Sequence, residues 1–129
     1  MIKGKKLDHI GLAVNDVEKN AQWYQDILGF SVKGKFIDDN EKHVYFLESN
    51  GTTYEMYQDD SLPADAIGKI DHISYTSNDI ETDYKFCVGK GYKICTEGIE
   101  EISQFWDNGC RYFKILSPAG EQVEFCQII

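Results

Sequence analysis

The segment Leu7-Asp8-His9-Ile10 recurs 63 positions later as Ile70-Asp71-His72-Ile73, and this repeat decides the fold. Asn15-Asp16-Val17-Glu18 recurs at the same offset as Asn78-Asp79-Ile80-Glu81. Five further positions match at an offset of 69: Leu47, Gly51, Glu55, Met56 and Gln58 correspond to Leu116, Gly120, Glu124, Phe125 and Gln127. Such self-similarity indicates one structural unit present twice. The growth in offset predicts about six extra residues in the second copy, between Gly98 and Gly109.

Each copy has the pattern of a strand, a helix and three further strands, marked by alternating apolar side chains and by helix caps. In the first copy we predict strands at 7–14, 32–37, 42–48 and 52–58, with a helix at 17–28. In the second copy we predict strands at 71–76, 92–96, 111–116 and 122–128, with a helix from 78 or 79 to about 90. The chain is therefore expected to be one α+β domain of two tandem βαβββ modules, 7–58 and 70–128, joined by a polar linker at 59–69.

Composition excludes several classes of partner. The 129 residues fit one domain, and 13 basic against 22 acidic side chains give a net charge of −9. This balance argues against nucleic acid and against anionic membranes. We expect no secretory leader, since no apolar stretch follows the basic residues at 3–6. The sequence has no apolar run long enough to span a membrane and no C-x-x-C pair among the four cysteines. We expect a cytoplasmic protein with reduced thiols that acts on a small molecule.

The repeat singles out four side chains with metal-binding chemistry. His9 and His72 occupy equivalent places in the first strand of each copy, and Glu55 and Glu124 in the last. Each side chain is expected on the less apolar face of its strand. A lone strand histidine is more often a satisfied polar contact, and a lone glutamate is usually solvated surface. Two of each at equivalent positions favour instead one divalent ion per site, such as Zn, Ni, Co, Mn or Fe(II).

Three motifs extend this pattern along the chain: 9–16 (HIGLAVND), 71–73 (DHI) and 117–125 (SPAGEQVEF), together with the helix end at 23–30. Across residues 7–128 the chain resembles the vicinal oxygen chelate (glyoxalase/bleomycin-resistance) family. The resemblance implies that the two modules form a half-open mixed β-barrel around a metal cleft. His9, Glu55, His72 and Glu124 match the four metal positions of that family. This set is similar to that of glyoxalase I, and unlike the three-ligand set of the extradiol dioxygenases. Methylmalonyl-CoA epimerases usually have Gln where Glu55 stands, which argues against that branch of the family.

The resemblance implies a lyase or isomerase related to lactoylglutathione lyase, acting on a small carbonyl or thiol-adduct substrate through a metal-stabilised enediolate or enolate. Glu124 is then the candidate base, with Glu55 as its counterpart. Glutathione carboxylates need cationic partners, and the chain has a single arginine, Arg111, which argues against glutathione itself.

Side chains alternate between the two faces of a strand, so Tyr112 and Lys114, even-numbered like Glu124, are expected to face the substrate. Arg111 takes that role if the strand register shifts by one. Phe105 and Trp106 are expected either as a lid over the site, within the loop 98–109, or as an anchor of that loop. Cys126 is expected on the same strand face as Glu124, lining the same pocket either as a small buried filler or as a reactive thiol.

Two functions from other classes remain open. One is a ligand-sequestering or antibiotic-resistance protein of the bleomycin-binding type, and the other is a thiol-transferring resistance enzyme of the fosfomycin type. The presence of all four metal-type residues, including the extra Glu55, favours the metalloenzyme. The resemblance also implies a homodimer.

Overall fold

Each copy of the sequence repeat folds into a four-stranded sheet with one helix. The structure, a computed structural model, describes residues 9–64, 68, 70, 72–103 and 107–129. The chain divides into two compact units, Met1–Ala64 and Asp65–Ile129. This division falls inside the predicted linker at 59–69, of which residues 65–67 and 69 lie outside the described residues. None of the helices in the described part of the chain is long and apolar enough to cross a bilayer.

The first unit runs β1 (Ile10–Val14), α1 (Val17–Leu28), β2 (Ser31–Ile37), β3 (His43–Ser49) and β4 (Thr52–Gln58). Its strands lie in the order β1-β4-β3-β2. β1 is parallel to β4, and the other neighbours are antiparallel. A parallel pair of this kind needs a crossover connection, which α1 begins and the antiparallel strands β2 and β3 continue.

The second unit repeats this topology with β5 (His72–Thr76), α2 (Ile80–Gly89), β6 (Glu100–Ile102), β7 (Cys110–Leu116) and β8 (Gln122–Ile128). The strand order is β5-β8-β7-β6, and β5 is parallel to β8. The two tandem βαβββ modules of an α+β fold are therefore confirmed.

The repeated glutamines explain why each helix starts where it does. Asp16 caps α1 by accepting from the backbone N–H of Lys19 at 3.0 Å. Gln58 on β4 accepts a second N–H, from Val17, at 2.9 Å. In the second unit Gln127 does the same for Ile80, also at 2.9 Å. A helix N-terminus leaves its first N–H groups unsatisfied, so a side chain from the last strand fixes each helix on its sheet.

The core of each unit lies between the helix and one face of its sheet. In the first unit, Tyr24 of α1 is fully buried against Tyr54, and the two rings meet edge-on at 5.5 Å. In the second unit, Phe113 is fully buried and stacks on Phe125 at 5.1 Å. Because strand side chains alternate between faces, this packing turns the residues beside them, including Glu55 and Glu124, to the opposite face.

One predicted strand is wrong. Residues 92–96 contribute only an isolated bridge, between Ile94 and Ile115, and the edge strand β6 lies further along. Gly98 has a φ of 72°, a left-handed conformation that interrupts the edge between the two segments. The segment before the break still bonds to β7, since Cys95 N–H donates to the carbonyl of Lys114 at 2.8 Å. The extra residues of the second copy therefore divide an edge strand as well as lengthening a loop.

Candidate functional site

In the first unit, His9 and Glu55 meet on the face of the sheet away from α1. Nε2 of His9 lies 3.0 Å from Oε2 of Glu55, and both side chains are about one third exposed. Phe46 of β3 stands opposite Glu55 in the strand register and packs edge-on against the imidazole, with ring centroids 5.5 Å apart. The aromatic ring thus supports one side of the histidine, and the paired atoms remain accessible.

In the second unit, His72 and Glu124 form the corresponding pair. Nε2 of His72 lies 3.5 Å from Oε2 of Glu124. Ser74, two residues along β5, donates its hydroxyl to Oε1 of the same carboxylate at 2.7 Å. Glu124 is more enclosed than Glu55, because its side chain is only 13% exposed.

The two histidine–glutamate pairs occupy equivalent register positions in the parallel strand pairs β1–β4 and β5–β8. In the parallel strand pairs, Glu55 stands opposite Gly11, and Glu124 stands opposite Ser74. Each histidine lies two residues before that position, so each pair is a diagonal contact across a parallel ladder. The equivalence that the repeat predicts in sequence is therefore also an equivalence in geometry.

Lys114 of β7 lies beside the second pair. Its Nζ is 3.3 Å from Nδ1 of His72 and 4.0 Å from Oε2 of Glu124. An ammonium group can donate but not accept, so this contact requires Nδ1 of His72 to be unprotonated. A neutral imidazole then carries its proton on Nε2, facing Glu124. Lys114, His72 and Glu124 thus form a polar cluster that orients the imidazole.

Within the described ranges, no group of three or more His, Cys, Asp or Glu side chains is close enough to hold a metal ion. The structure brings the four predicted ligands together as two pairs, one in each unit. Each pair contains one imidazole nitrogen and one carboxylate oxygen, which are donors that suit divalent transition ions.

A cavity of about 310 Å³ adjoins the second pair. Two of the predicted substrate residues, Tyr112 and Lys114, line it, as strand parity predicts. The described lining residues are His72, Ser74, Ile102, Cys110, Tyr112, Lys114, Glu124 and Cys126. Lys114 is the one cation among them, and its side chain is 18% exposed.

Arg111 lies on the other face of β7. Its Nη2 is 2.6 Å from Oε1 of Glu81 in the first turn of α2. The alternation of strand side chains therefore sends this arginine toward the helix and Lys114 toward the cavity. Trp106 and Phe105, predicted as a lid or an anchor, lie outside the described residues.

The two cysteines of the cavity are neighbours. All four cysteines are free thiols, and Cys110 is buried. Burial, followed by smaller contributions from the neighbouring Cys110 thiol and the Glu124 carboxylate, raises the pKa of the Cys126 thiol to about 11. Burial also raises the pKa of Tyr112, with smaller contributions from the carboxylates of Glu100 and Glu124. Both groups are therefore neutral at pH 7.

Sequence reasoning missed Ser74 and Cys110 as site residues. Ser74 has the same strand parity as His72, so its position relative to the histidine was a usable signal. Cys110 lies one residue before the predicted start of its strand, so the sequence did not indicate which face of the sheet its side chain occupies. The sequence also gave no sign of a polar cluster in the first unit, in which Glu18 of α1 contacts His43 and Tyr45 of β3.

Comparison with known proteins places the chain in a family. A sequence profile of the Glyoxalase/Bleomycin resistance protein/Dioxygenase superfamily matches residues 6–125. The uncharacterized protein YwbC of Bacillus subtilis (strain 168) is 32% identical over 127 residues, which cover 95% of this chain and 98% of YwbC.

Solved structures agree on the fold. The glyoxalase family protein of Enterococcus faecalis has a TM-score of 0.78 at 19% identity, covering 95% of this chain and 97% of that one. The fosfomycin resistance protein FosX of Listeria monocytogenes, solved with Mn(II) and a sulfate ion, has a TM-score of 0.71 at 18% identity, covering 100% of this chain and 95% of that one. The chain therefore belongs to the glyoxalase/bleomycin resistance protein/dioxygenase superfamily.

Proposed function

We propose that the chain is a glyoxalase-like metalloenzyme, a lyase or isomerase for a small carbonyl or thiol-adduct substrate. The observation that carries this proposal is the repetition of one histidine–glutamate contact in both units, at 3.0 Å for His9–Glu55 and 3.5 Å for His72–Glu124. Chance does not readily produce the same diagonal pair of metal-type donors twice in one chain.

The donor set fits a divalent ion. His9, Glu55, His72 and Glu124 would hold it through two imidazole nitrogens and two carboxylate oxygens, a mixture that suits Zn, Ni, Co, Mn or Fe(II). When bound, such an ion polarises a substrate carbonyl and stabilises negative charge on its oxygen.

Glu124 is the candidate base. Ser74 donates to Oε1 at 2.7 Å and holds the carboxylate in one orientation, which directs Oε2 toward His72. A carboxylate fixed in this way can take a proton from a carbon next to a carbonyl and return it to the neighbouring carbon. Glu55 holds the equivalent position in the first unit and is proposed as the counterpart of Glu124.

Lys114 is proposed to bind the oxygen on which charge develops. Its ammonium lies 4.0 Å from Oε2 of Glu124, and its side chain is only 18% exposed, so it can interact favourably with an anionic substrate group in the cavity. The phenol of Tyr112 is neutral at pH 7 and can donate a hydrogen bond to the same substrate. Because Arg111 is engaged with Glu81, we propose a thiol adduct smaller than the glutathione one.

A second candidate is a ligand-binding or resistance protein of the bleomycin or fosfomycin type. The position of Lys114 favours it, because an ammonium 3.3 Å from His72 already places a positive charge beside the second pair. A protein of the bleomycin-binding type would bind a small anion in the same cavity without a metal. The metal content of the protein separates that type from the proposed metalloenzyme.

We further propose that the protein is a cytoplasmic homodimer. The four free thiols support a reducing compartment. Three exposed apolar side chains on the edge strand β2, Val32, Phe36 and Ile37, support a second copy as the partner.

The activity is tested with hemithioacetals formed from methylglyoxal and several thiols, using protein loaded in turn with each divalent ion. We expect turnover that a chelator abolishes, and a fall of about 10²-fold or more in kcat for Glu124→Gln. Glu97→Gln, at an exposed carboxylate, is the matched control and should retain full activity. Equal turnover by the wild type and the Glu124→Gln variant would contradict the proposed role of Glu124.

A further inference from the structure

The cavity of the second unit has a polar end and an apolar end, arranged along β7. Lys114, Tyr112 and Cys110 are alternate residues of this strand, and all three line the cavity. On β8, Glu124 stands opposite Lys114, and Cys126 stands opposite Tyr112. The ionic contact of 4.0 Å between Lys114 and Glu124 therefore lies at one end, and the lining becomes less polar with each step toward Cys110.

The edge strand β6 borders the apolar end. Ile102 stands opposite Cys110 in the register and also lines the cavity. Lys114 lies four residues beyond Cys110, so the two ends are about 13 Å apart along an extended strand. Cysteine side chains pack as small apolar groups. An elongated substrate would therefore lie along β7, with its carbonyl beside Lys114 and its other arm beside Ile102.

The charges around the cavity disfavour an anionic arm. Glu100 of β6 stands directly opposite Tyr112, which places the two side chains on the same face of the sheet. Lys114 is the one cation among the described lining residues, and the carboxylate of Glu124 already offsets its charge. Arg111, on the other face of β7, is engaged in an ion pair of its own. An arm that ends in a carboxylate would thus approach a like charge near Tyr112, and none of the described residues at the apolar end would neutralise it.

We propose that this cavity selects adducts whose thiol carries a short, uncharged aliphatic arm, and that Ile102 and Cys110 determine this preference. The inference rests on the proposed function, because Lys114 and Glu124 are assigned there to the carbonyl end of the adduct. It adds the substrate class. Adducts of small uncharged thiols fit the cavity, and adducts of thiols that carry carboxylates do not.

The probes are S-alkyl lactate thioesters, the products expected from methylglyoxal and simple thiols, because they can be added as stable compounds. Calorimetry with the untagged protein should find an affinity that rises about fourfold for each methylene from the S-methyl to the S-butyl thioester, as the burial of one CH₂ group predicts. The S-(2-carboxyethyl) thioester should bind about tenfold more weakly than the S-propyl thioester, which is close to it in size. Equal affinity for the S-methyl and S-butyl compounds, or for the charged and uncharged compounds of similar size, would overturn the proposal.

Variants locate the preference. Ile102→Ser should reduce the gain per methylene from about fourfold to about twofold or less. Val88→Ser, at a side chain of α2 that is 50% exposed, is the control and should keep the wild-type gain. Glu100→Gln should narrow the gap between the charged and uncharged thioesters by about threefold, because it removes a like charge. A gain per methylene that is unchanged in Ile102→Ser would overturn the role of Ile102.

These outcomes can be distinguished from a failure of the proposed activity. Glu124→Gln should lose turnover and keep the dependence on chain length, because the apolar end is unchanged. A wild type that shows this dependence but turns over no hemithioacetal would contradict the proposed function and leave the selectivity of the cavity standing. Turnover without any dependence on the thiol would do the reverse.

Discussion

At the scale of single residues, the two faces of each sheet carry different polar clusters. Glu18 lies on the helix side of the first unit, where it contacts Tyr45 and His43 of β3 and lies 3.7 Å from Nζ of Lys35. The hydrogen bond from Tyr45 is the largest of the influences that lower the pKa of the Glu18 carboxyl. The cluster joins α1 to β3 and β2.

The lowered pKa of Glu18 predicts a pH-dependent contribution to stability. A carboxyl group with a lower pKa in the folded state stabilises the fold above its ordinary pKa of 4.5 and loses that effect as pH falls through the folded value. The side chain is about half exposed, so Glu18→Gln should lower the free energy of unfolding by less than about 1 kcal/mol at pH 7. Urea unfolding at pH 7 and pH 3 measures this. A difference between wild type and variant that is as large at pH 3 as at pH 7 would contradict it.

The position of Lys114 beside His72 and Glu124 leads to a prediction about both divalent-ion affinity and kcat. Replacement by Met keeps the aliphatic stem and removes the positive charge beside His72 and Glu124. We expect Lys114→Met to bind a divalent ion more tightly, because like-charge repulsion is removed, and to lower kcat by about 10²-fold. Titration calorimetry and the hemithioacetal assay measure the two effects, with Lys93→Met, at an exposed lysine, as control. A variant unchanged in both would show that Lys114 has neither role.

At the scale of elements, the sequence predicts most boundaries because strong local signals mark them. α1 begins and ends where Asp16 and Gly29 cap it, and β4 and β8 have their predicted ends. β6 escaped prediction because a three-residue edge strand pairs on one side only and has too few residues to show alternation. The contact of Lys114 with His72 spans 42 positions, and no local pattern carries it. Strand alternation favoured Lys114 for the cleft but left Arg111 open, because the sequence did not fix the register of β7.

The loop between β6 and β7 depends on one glycine. Gly109 has a φ of 86°, and a Cβ there would lie 2.8 Å from the carbonyl oxygen of Ile102. Gly109→Ala should therefore destabilise the protein by about 1–3 kcal/mol. Gly89→Ala is the matched control, because a Cβ at that position in α2 meets nothing within 4 Å and alanine favours a helix. Chemical denaturation measures both, and equal stability of the two variants would contradict the prediction.

The exposed apolar side chains of the edge strand β2 lead to a prediction about the dimer. Phe36 and Ile37 are 59% and 67% exposed, which is unusual for side chains of this size on an open sheet edge. If a second copy covers them, Phe36→Ser with Ile37→Ser should convert a dimer into a monomer in sedimentation equilibrium. Phe86→Ser, on the exposed side of α2, should leave the dimer intact. A wild-type protein that sediments as a monomer at all concentrations would rule this interface out.

At the scale of the whole molecule, duplication explains the distribution of function. Each unit supplies the same histidine–glutamate pair on the same diagonal, and the second unit adds Ser74, Lys114 and the cavity. The first unit has Gly11 where the second has Ser74, and Phe46 packs on its histidine instead. The two copies have thus kept one pair of metal-type donors in common while their surroundings have diverged.

The measurement that tests the account most directly is the metal content of untagged protein by inductively coupled plasma mass spectrometry. We expect about one divalent ion per site in the wild type, and loss of that ion in His9→Ala, His72→Ala and Glu124→Gln, because the proposed site takes donors from both pairs. Glu97→Gln should keep it. Full retention of metal in both His72→Ala and Glu124→Gln, or a wild type that takes up no ion when dialysed against each candidate metal, would contradict the proposed metal site.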